Sequence, residues 1–216
     1  MKLVIANKNY SSWSMRPWVL LKHFGIPFEE IQIWLRRDDT GERIAKYSPS
    51  GRVPALIADD GNVVWDSLAI VETLAERFPQ HPWWPADPAW RALARSMSAE
   101  MHAGFGDIRE AMPMNIRVQR PEIGARPHLH DSVRRIDALW RDSLARSGGP
   151  FLFGEFGIAD AMYAPVVMRF NTYQPVVLSD EARAYGARVT ALPAVREWIA
   201  AAQGESSAID YYDNVA

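Results

Sequence analysis

The sequence predicts an α/β domain over residues 1–78 and an all-α helical domain over residues 89–216. In the first part, short β-like runs alternate with runs of helical spacing. Residues 79–88 contain four prolines, and because proline fixes φ and lacks an N–H, regular structure does not cross them. Nearly all of the sequence beyond them has helical spacing. We therefore expect residues 79–88 to form a Pro-rich linker between two domains.

The first domain opens with a strand, a helix and a second strand. Residues 3–6 are four apolar residues in a row, which is typical of a buried strand. A helix is expected over residues 15–24, because Pro17 is tolerated in a first turn and Gly25 is a common stop. Residues 31–35 alternate apolar and other side chains and are predicted to form the second strand.

A hairpin and a helix complete this domain. Residues 55–58 and 63–65 flank a turn of Asp-Asp-Gly-Asn composition, and residues 66–78 have apolar positions at helical spacing. The order is strand, helix, strand, a loop or short helix, then hairpin and helix. That order is the thioredoxin order, so the sequence predicts a thioredoxin-like N-terminal domain.

The second domain is predicted to be a bundle of helices. One long helix is expected over residues 89–111, and another carries a buried stripe from Leu129 to Leu144 and ends at Gly148. Residues 158–170 are apolar on nearly all sides, as in a helix at the centre of a bundle. Pro193 opens a last helix.

The composition argues against several classes of function. The net charge is −2 and no basic run is present, so we expect no nucleic-acid partner. Neither a signal peptide nor an apolar run of about 20 residues is found, so we expect a cytoplasmic protein without a membrane partner. The absence of cysteine excludes disulfides and any protein thiol nucleophile. Three of the five histidines, His102, His128 and His130, come nearest to a metal cluster but lack ligand-like spacing, so no metal site is expected.

Two segments contain groups that suit a peptide ligand. If the Val53-Pro54 bond is cis, Val53 turns its backbone N–H and C=O outward to pair with an extended peptide; the alternative is an ordinary trans turn before a strand. Asp66 and Ser67 stand at the start of a helix, where they either only cap it or also receive an α-amino-acid group.

A third segment, the loop that leads into the first helix, carries several hydroxyls. A hydroxyl of Ser11, Ser12 or Ser14 could donate to a thiolate held at the helix N-terminus; the alternative is that one serine, Ser14 or Ser12, is simply the helix cap. The residue types leave open which serine has which role.

These three segments, in this order and spacing, resemble the glutathione S-transferases over essentially the whole chain. The resemblance implies a thioredoxin-like domain plus an all-α helical bundle, a homodimer, and glutathione as co-substrate. It implies that Val53, next to Pro54, pairs through its backbone with the cysteinyl residue of glutathione. It also implies that Asp66 and Ser67 hold the γ-glutamyl end, with Arg52 as a weaker contact.

The serine segment resembles the serine-type classes, zeta and theta especially. By this resemblance the catalytic serine is Ser11, with Ser12 next, and Tyr10 is a weaker candidate by analogy with tyrosine-type classes. Trp13 stands where zeta enzymes have a cysteine. In the helical domain, Asp160 matches the family, but Gly157 stands where members often have Ser or Thr, so we expect Asp160 to act in folding.

The resemblance implies a glutathione transferase that activates the thiolate for addition to a small apolar electrophile, as in detoxification. The alternatives are a glutathione-dependent isomerase that resembles maleylacetoacetate isomerase, and a non-catalytic glutathione-binding protein. We expect the electrophile to lie in an apolar cleft between the domains, with Met101 and Phe105 among its walls.

Overall fold

The computed structural model describes residues 1–214. Its strands and α-helices, in chain order, are β1 (Lys2–Ile5), α1 (Ser12–His23), β2 (Glu29–Gln32), α2 (Thr40–Ala45), β3 (Ala55–Ile57), β4 (Val63–Val64), α3 (Ser67–Arg77), α4 (Pro88–Ala103), α5 (Gly106–Ala111), α6 (His130–Ser147), α7 (Ile158–Thr172), α8 (Asp180–Ala191), α9 (Pro193–Gln203) and α10 (Asp210–Asp213). Two short 3₁₀ turns precede α6. Over residues 1–214, no helix has the length and apolarity that a membrane crossing requires.

The N-terminal part is built on one mixed sheet with the strand order β2-β1-β3-β4. β1 pairs parallel to β2 and antiparallel to β3, and β3 pairs antiparallel to β4 as the predicted hairpin. Successive side chains of β1 point to opposite faces. Leu3 and Ile5 join the large core with α1 and α3, whereas Val4 joins a smaller cluster with Ile44 of α2. Helices therefore cover both faces of the sheet, and the predicted thioredoxin-like domain is confirmed.

The helical part is organised around α7, which is buried along nearly its whole length as its all-round apolar sequence predicts. α7 packs against α4 and α8 within the bundle and also against α1 of the sheet domain. Because α7 and α1 lie side by side, residues of the helical part reach the start of α1.

The predicted long helix over residues 89–111 is wrong. The chain forms α4 and α5 instead, separated where Phe105 adopts a left-handed conformation with φ 57°. Arg109 of α5 donates to the carbonyl oxygens of Gly104 and Met101, so it satisfies carbonyls that the end of α4 leaves free. This contact reaches back across the break, and local apolar spacing gives no sign of it.

Two element boundaries also differ from the prediction. α1 begins at Ser12, not at residue 15, because Ser11, and not Ser12 or Ser14, caps it and accepts a hydrogen bond from the backbone N–H of Ser14. β2 spans Glu29–Gln32, not residues 31–35, because it pairs residue by residue with β1 and stops where β1 stops.

Asp160 organises the turn before α7. Its carboxylate accepts from the backbone N–H groups of Leu152 and Gly157 and from the hydroxyl of Tyr185. Burial raises its pKa to about 6 against the opposing effect of these three hydrogen bonds. The position of Gly157 requires glycine for a steric reason, since a Cβ there would lie 2.8 Å from the carbonyl oxygen of Trp83 in the linker.

Candidate functional site between the two domains

A cleft of about 430 Å³ lies between the sheet domain and the helical domain at the start of α1. The sheet side contributes residues of the α1 loop, of the segment before β3, and of the β2–α2 region. The helical side contributes residues around α5, one residue of α7 and two tyrosines near the C-terminus. The lining consists of Tyr10, Ser11, Ser12, Trp13, Leu35, Ile44, Gly51, Arg52, Val53, Arg109, Pro113, Met114, Arg169, Tyr211 and Tyr212.

The cleft walls differ from the expected ones. Met101 is fully buried in the core and Phe105 packs against that core, and neither lines the cleft. The lining is also only partly apolar, because it includes three arginines, Arg52, Arg109 and Arg169. No carboxylate belongs to it among the residues that the structure describes.

Val53, just before β3, lies in the cleft lining. The Val53-Pro54 bond is cis, Pro54 is buried behind it, and Arg52 lies exposed at the rim. Throughout the described residues, no protein group is hydrogen-bonded to the backbone N–H or C=O of Val53. A donor and an acceptor of the main chain are therefore available at the cleft.

Asp66 and Ser67 lie beside the cleft lining and not within it. Asp66 caps α3 through a hydrogen bond from the N–H of Leu68, at 3.1 Å, and its second oxygen lies 2.9 Å from Nε2 of His102. Ser67 accepts a hydrogen bond from Arg16, at 3.2 Å. Asp66 therefore caps α3 and also contacts the helical domain, which the sequence did not indicate.

Trp13 lies between the cleft and the region of Asp66 and Ser67. Its ring lies edge-on to the ring of His102, with centroids 5.1 Å apart, and the guanidinium of Arg16 lies 4.2 Å from the indole. Arg109 lies 4.8 Å from the same ring. The cleft serines and the Asp66 region thus share one aromatic neighbour.

The two leading serines are bonded differently. Ser11 Oγ donates to Ser14 Oγ at 2.7 Å and accepts from the Ser14 N–H at 3.4 Å. Ser12 Oγ accepts from Nη2 of Arg169 at 3.1 Å. Ser11 and Ser12 both line the cleft, and Ser14 is buried outside its lining.

Tyr10 is bound to the C-terminal segment. Its hydroxyl lies 2.9 Å from both carboxylate oxygens of Asp213 and accepts from Arg117 at 2.8 Å, and its ring stacks on Tyr212. Burial, and next the hydrogen bond to Asp213, raise the pKa of Tyr10. A phenol in this arrangement holds the C-terminal segment in place and is poorly suited to activate a ligand thiol.

Three arginines, Arg16, Arg109 and Arg169, gather at the start of α1, and sequence reasoning missed them. None forms a salt bridge within residues 1–214. Burial, and next the charge of Arg109, lower the pKa of Arg169 to about 9, and the same two causes lower the pKa of Arg16 well below its ordinary value. The three lie far apart in sequence, so no local pattern predicts their meeting.

This arrangement suits an anion. The N-terminus of α1 is the positive end of the helix dipole. The hydroxyl of Ser12 and the guanidinium groups of Arg109 and Arg169, which have no carboxylate partner among the described residues, line the same cleft, so the charge around it is positive. Buried cations without counter-ions are unfavourable, so a negatively charged ligand atom is stabilised here.

Comparisons with known proteins show which family the chain resembles. The family model described as Glutathione S-transferase, N-terminal domain, matches residues 10–77, and the model described as Glutathione S-transferase, C-terminal domain, matches residues 100–201. A zeta-class glutathione S-transferase of Euphorbia esula is 36% identical over 177 residues, which are 79% of this chain and 78% of that protein.

Maleylacetoacetate isomerase of Pseudomonas aeruginosa is 34% identical over 119 residues, and the match spans only about half of each protein, 54% of this chain and 55% of the relative. A glutathione transferase homologue from Burkholderia, crystallised with bound glutathione, superposes with a TM-score of 0.71 at 25% identity and covers 94% of this chain and 98% of its own. The chain therefore belongs to the glutathione S-transferase family.

Proposed function

We propose that the protein binds glutathione in the interdomain cleft and activates its thiol for transfer to a small electrophile. Family membership supports this proposal, and so does the bound glutathione of the Burkholderia homologue. A homodimer, a cytoplasmic location and a role in detoxification are part of the same proposal, and family membership is their support.

The observation that carries the proposal is the position of Val53. It offers an unpaired backbone N–H and C=O at the same cleft that exposes Ser11 and Ser12 to a ligand. An extended peptide that pairs with Val53 through its central residue places that residue's side chain near the start of α1. A cysteinyl thiol is the group that gains most from this position, because it becomes an anion there.

The charged groups at the two ends of the tripeptide have partners of complementary charge or hydrogen-bonding character. Asp66 accepts from the γ-glutamyl ammonium, while Ser67 and the free N–H groups at the start of α3 receive the γ-glutamyl carboxylate. Arg52 lies exposed at the rim beside Val53, within reach of the glycyl carboxylate. Pro54 acts through the backbone conformation of Val53.

The transfer step uses the thiolate as nucleophile. The thiol proton leaves to solvent, and Ser11 or Ser12 donates a hydrogen bond to the sulfur while the α1 dipole and the nearby arginines stabilise its charge. The sulfur then forms a bond to the electrophilic carbon. Either a leaving group departs with its electron pair, or the adjacent carbon takes up a proton.

The second substrate is a small electrophile that packs its apolar body against Trp13, Met114 and Tyr212. Arg52 and Arg109 in the same lining favour an electrophile that also carries negative charge. Isomerisation with glutathione returned unchanged is the alternative, and the similarity to the Pseudomonas isomerase favours it. Both reactions need the same thiolate.

The test combines binding and turnover. Isothermal titration calorimetry with glutathione measures binding, and rates with 1-chloro-2,4-dinitrobenzene and 4-chloro-3,5-dinitrobenzoate, each divided by its uncatalysed rate, measure transfer. We expect glutathione to bind and the anionic electrophile to react with the higher normalised kcat/KM. An isomerase converts a cis-enone with no loss of free thiol. Binding without any thiol chemistry indicates a non-catalytic protein, and absence of binding refutes the proposal.

A further inference from the structure

The two cleft serines differ in whether a protein group accepts the hydrogen of their hydroxyl. Ser11 is the N-cap of α1, and its hydrogen goes to Ser14 Oγ at 2.7 Å. Ser14 Oγ in turn accepts from the backbone N–H of Ala6, so these contacts tie Ser11 to the end of β1. A ligand that takes the hydrogen of Ser11 has to break a hydrogen bond that the fold already uses.

The hydroxyl hydrogen of Ser12, in contrast, has no acceptor among the described residues. A hydroxyl has one hydrogen to donate and two lone pairs to accept with. Arg169 donates to the Ser12 oxygen at 3.1 Å, and nowhere in the described chain does a protein acceptor take the Ser12 hydrogen. The side chain lines the cleft and is 5% exposed, so a ligand atom in the cleft is its natural acceptor.

Arg169 is held rigidly where it meets Ser12. It is 4% exposed on α7, and its other two nitrogens donate to the carbonyl oxygens of Met112 and Pro165, at 2.8 Å and 3.2 Å. Hydrogen bonds from all three nitrogens fix the guanidinium with Nη2 on Ser12, so the contact through which we infer that Arg169 acts on the ligand is the one to Ser12. Its charge has no carboxylate partner among residues 1–214, so its field reaches the hydroxyl without an opposing anion nearby.

We propose that Ser12, oriented and polarised by Arg169 of the helical domain, is the hydroxyl that donates to the glutathione thiolate, and that Ser11 serves as the cap of α1. This inference rests on the proposed glutathione function. Ser12 is then the catalytic residue and Arg169 a positioning residue. The hydrogen bond from Arg169 occupies one lone pair of the Ser12 oxygen and makes its O–H a stronger donor. Assembly of the thiolate site thereby depends on the docking of α7 against α1.

The test measures the pKa of the glutathione thiol in the binary complex, from thiolate absorbance near 240 nm against pH. We expect Ser12→Ala to raise that pKa by about one unit or more, because a hydrogen bond to the charged form is lost. Ser11→Ala is expected to raise it less and to lower the melting temperature more. Ser98→Ala, which removes a buried hydroxyl outside the cleft on α4, is the matched control.

Arg169 is tested through its dependence on Ser12. Arg169→Gln is expected to raise the thiol pKa in the wild-type background and to add little in the Ser12→Ala background, since the two residues act through one contact. Arg169→Lys keeps a donor and is expected to restore part of the shift. If neither Arg169 variant folds, the wild-type complex decides: in its crystal structure Arg169 Nη2 must remain on Ser12 Oγ, with the sulfur within about 3.5 Å of that oxygen.

Three results overturn the inference. One is a larger rise in thiol pKa for Ser11→Ala than for Ser12→Ala. The second is an equal effect of Arg169→Gln with and without Ser12. The third is a sulfur bonded to Ser11 in the complex. Failure of the proposed function itself looks different, because the wild-type protein then shows no glutathione binding by calorimetry.

Discussion

Nε2 of His102, in the helical domain, lies 2.9 Å from Oδ2 of Asp66, in the sheet domain. Asp66, the cap of α3, is the residue proposed to receive the γ-glutamyl ammonium, so a residue of α4 contacts a proposed ligand-binding residue. The ring of His102 also packs edge-on against Trp13 at the cleft. The site therefore depends on the contact between the two domains as well as on the sheet domain.

Removal of the contact between His102 and Asp66 is expected to weaken glutathione binding without changing the pKa of the bound thiol. We predict that His102→Ala raises the Kd for glutathione about two- to tenfold, since one hydrogen bond to Asp66 is lost. Calorimetry with S-methylglutathione is the control, because this ligand lacks the thiol but keeps the γ-glutamyl end. Equal losses for both ligands agree with the account, and a loss for glutathione alone contradicts it.

The same histidine predicts a pH dependence of stability. Burial, followed by the charges of Arg16 and Arg109, lowers the pKa of His102, against the opposing effect of Asp66. The folded protein therefore binds fewer protons at this site than the unfolded chain, whose histidine titrates near 6.5, so stability falls as pH decreases through that value. Urea unfolding of wild type and His102→Gln at about pH 7 and about pH 5 checks this. We expect wild type to lose more free energy of unfolding, and equal losses refute the assignment.

Gly157 is predicted to tolerate no side chain. A Cβ at this position meets the carbonyl oxygen of Trp83 at 2.8 Å, so Gly157→Ala forces the linker away from the start of α7. We expect a loss of about 1–3 kcal/mol in the free energy of unfolding by urea denaturation.

Gly186→Ala in α8 is the matched control for Gly157. Its Cβ meets only Val167 at an ordinary 3.7 Å, and alanine is the better helix former. The expected change is neutral or stabilising. A loss for Gly186→Ala as large as that for Gly157→Ala is incompatible with a local clash at the linker.

Tyr10 is predicted to act on the C-terminal segment. Tyr10→Phe removes the hydroxyl that bonds Asp213 and Arg117 and that also accepts from the N–H of Ile209. Faster amide hydrogen exchange over residues 207–213 is the expected result, with the pKa of the bound glutathione thiol unchanged. A raised thiol pKa in this variant instead identifies a tyrosine-type site.

The sequence was sufficient where structure depends on local pattern. The hairpin of β3 and β4, the α3 cap at Asp66 and the buried α7 follow from apolar spacing and capping residues. The break between α4 and α5 is not predicted because Arg109 stabilises it from beyond the break. α8 is not predicted either, because only Ala182, Tyr185 and Val189 of its residues are buried and its apolar pattern is weak.

The candidate site was predictable only in part for the same reason. Val53 and the two serines stand out because short motifs mark them. Arg169 meets Ser12 across 157 positions of sequence and His102 meets Asp66 across the domain boundary, and only the packing of α1 on α7 and α4 explains those contacts. The net charge of −2 therefore gives no indication that the cleft is positively charged.

The most direct test of the account is the crystal structure of the protein with glutathione. The account predicts the cysteinyl residue paired with the backbone of Val53, the γ-glutamyl ammonium on Asp66, and the sulfur within about 3–3.5 Å of the Ser12 hydroxyl at the start of α1. Glutathione bound outside this cleft, or with its sulfur against Tyr10, contradicts the account.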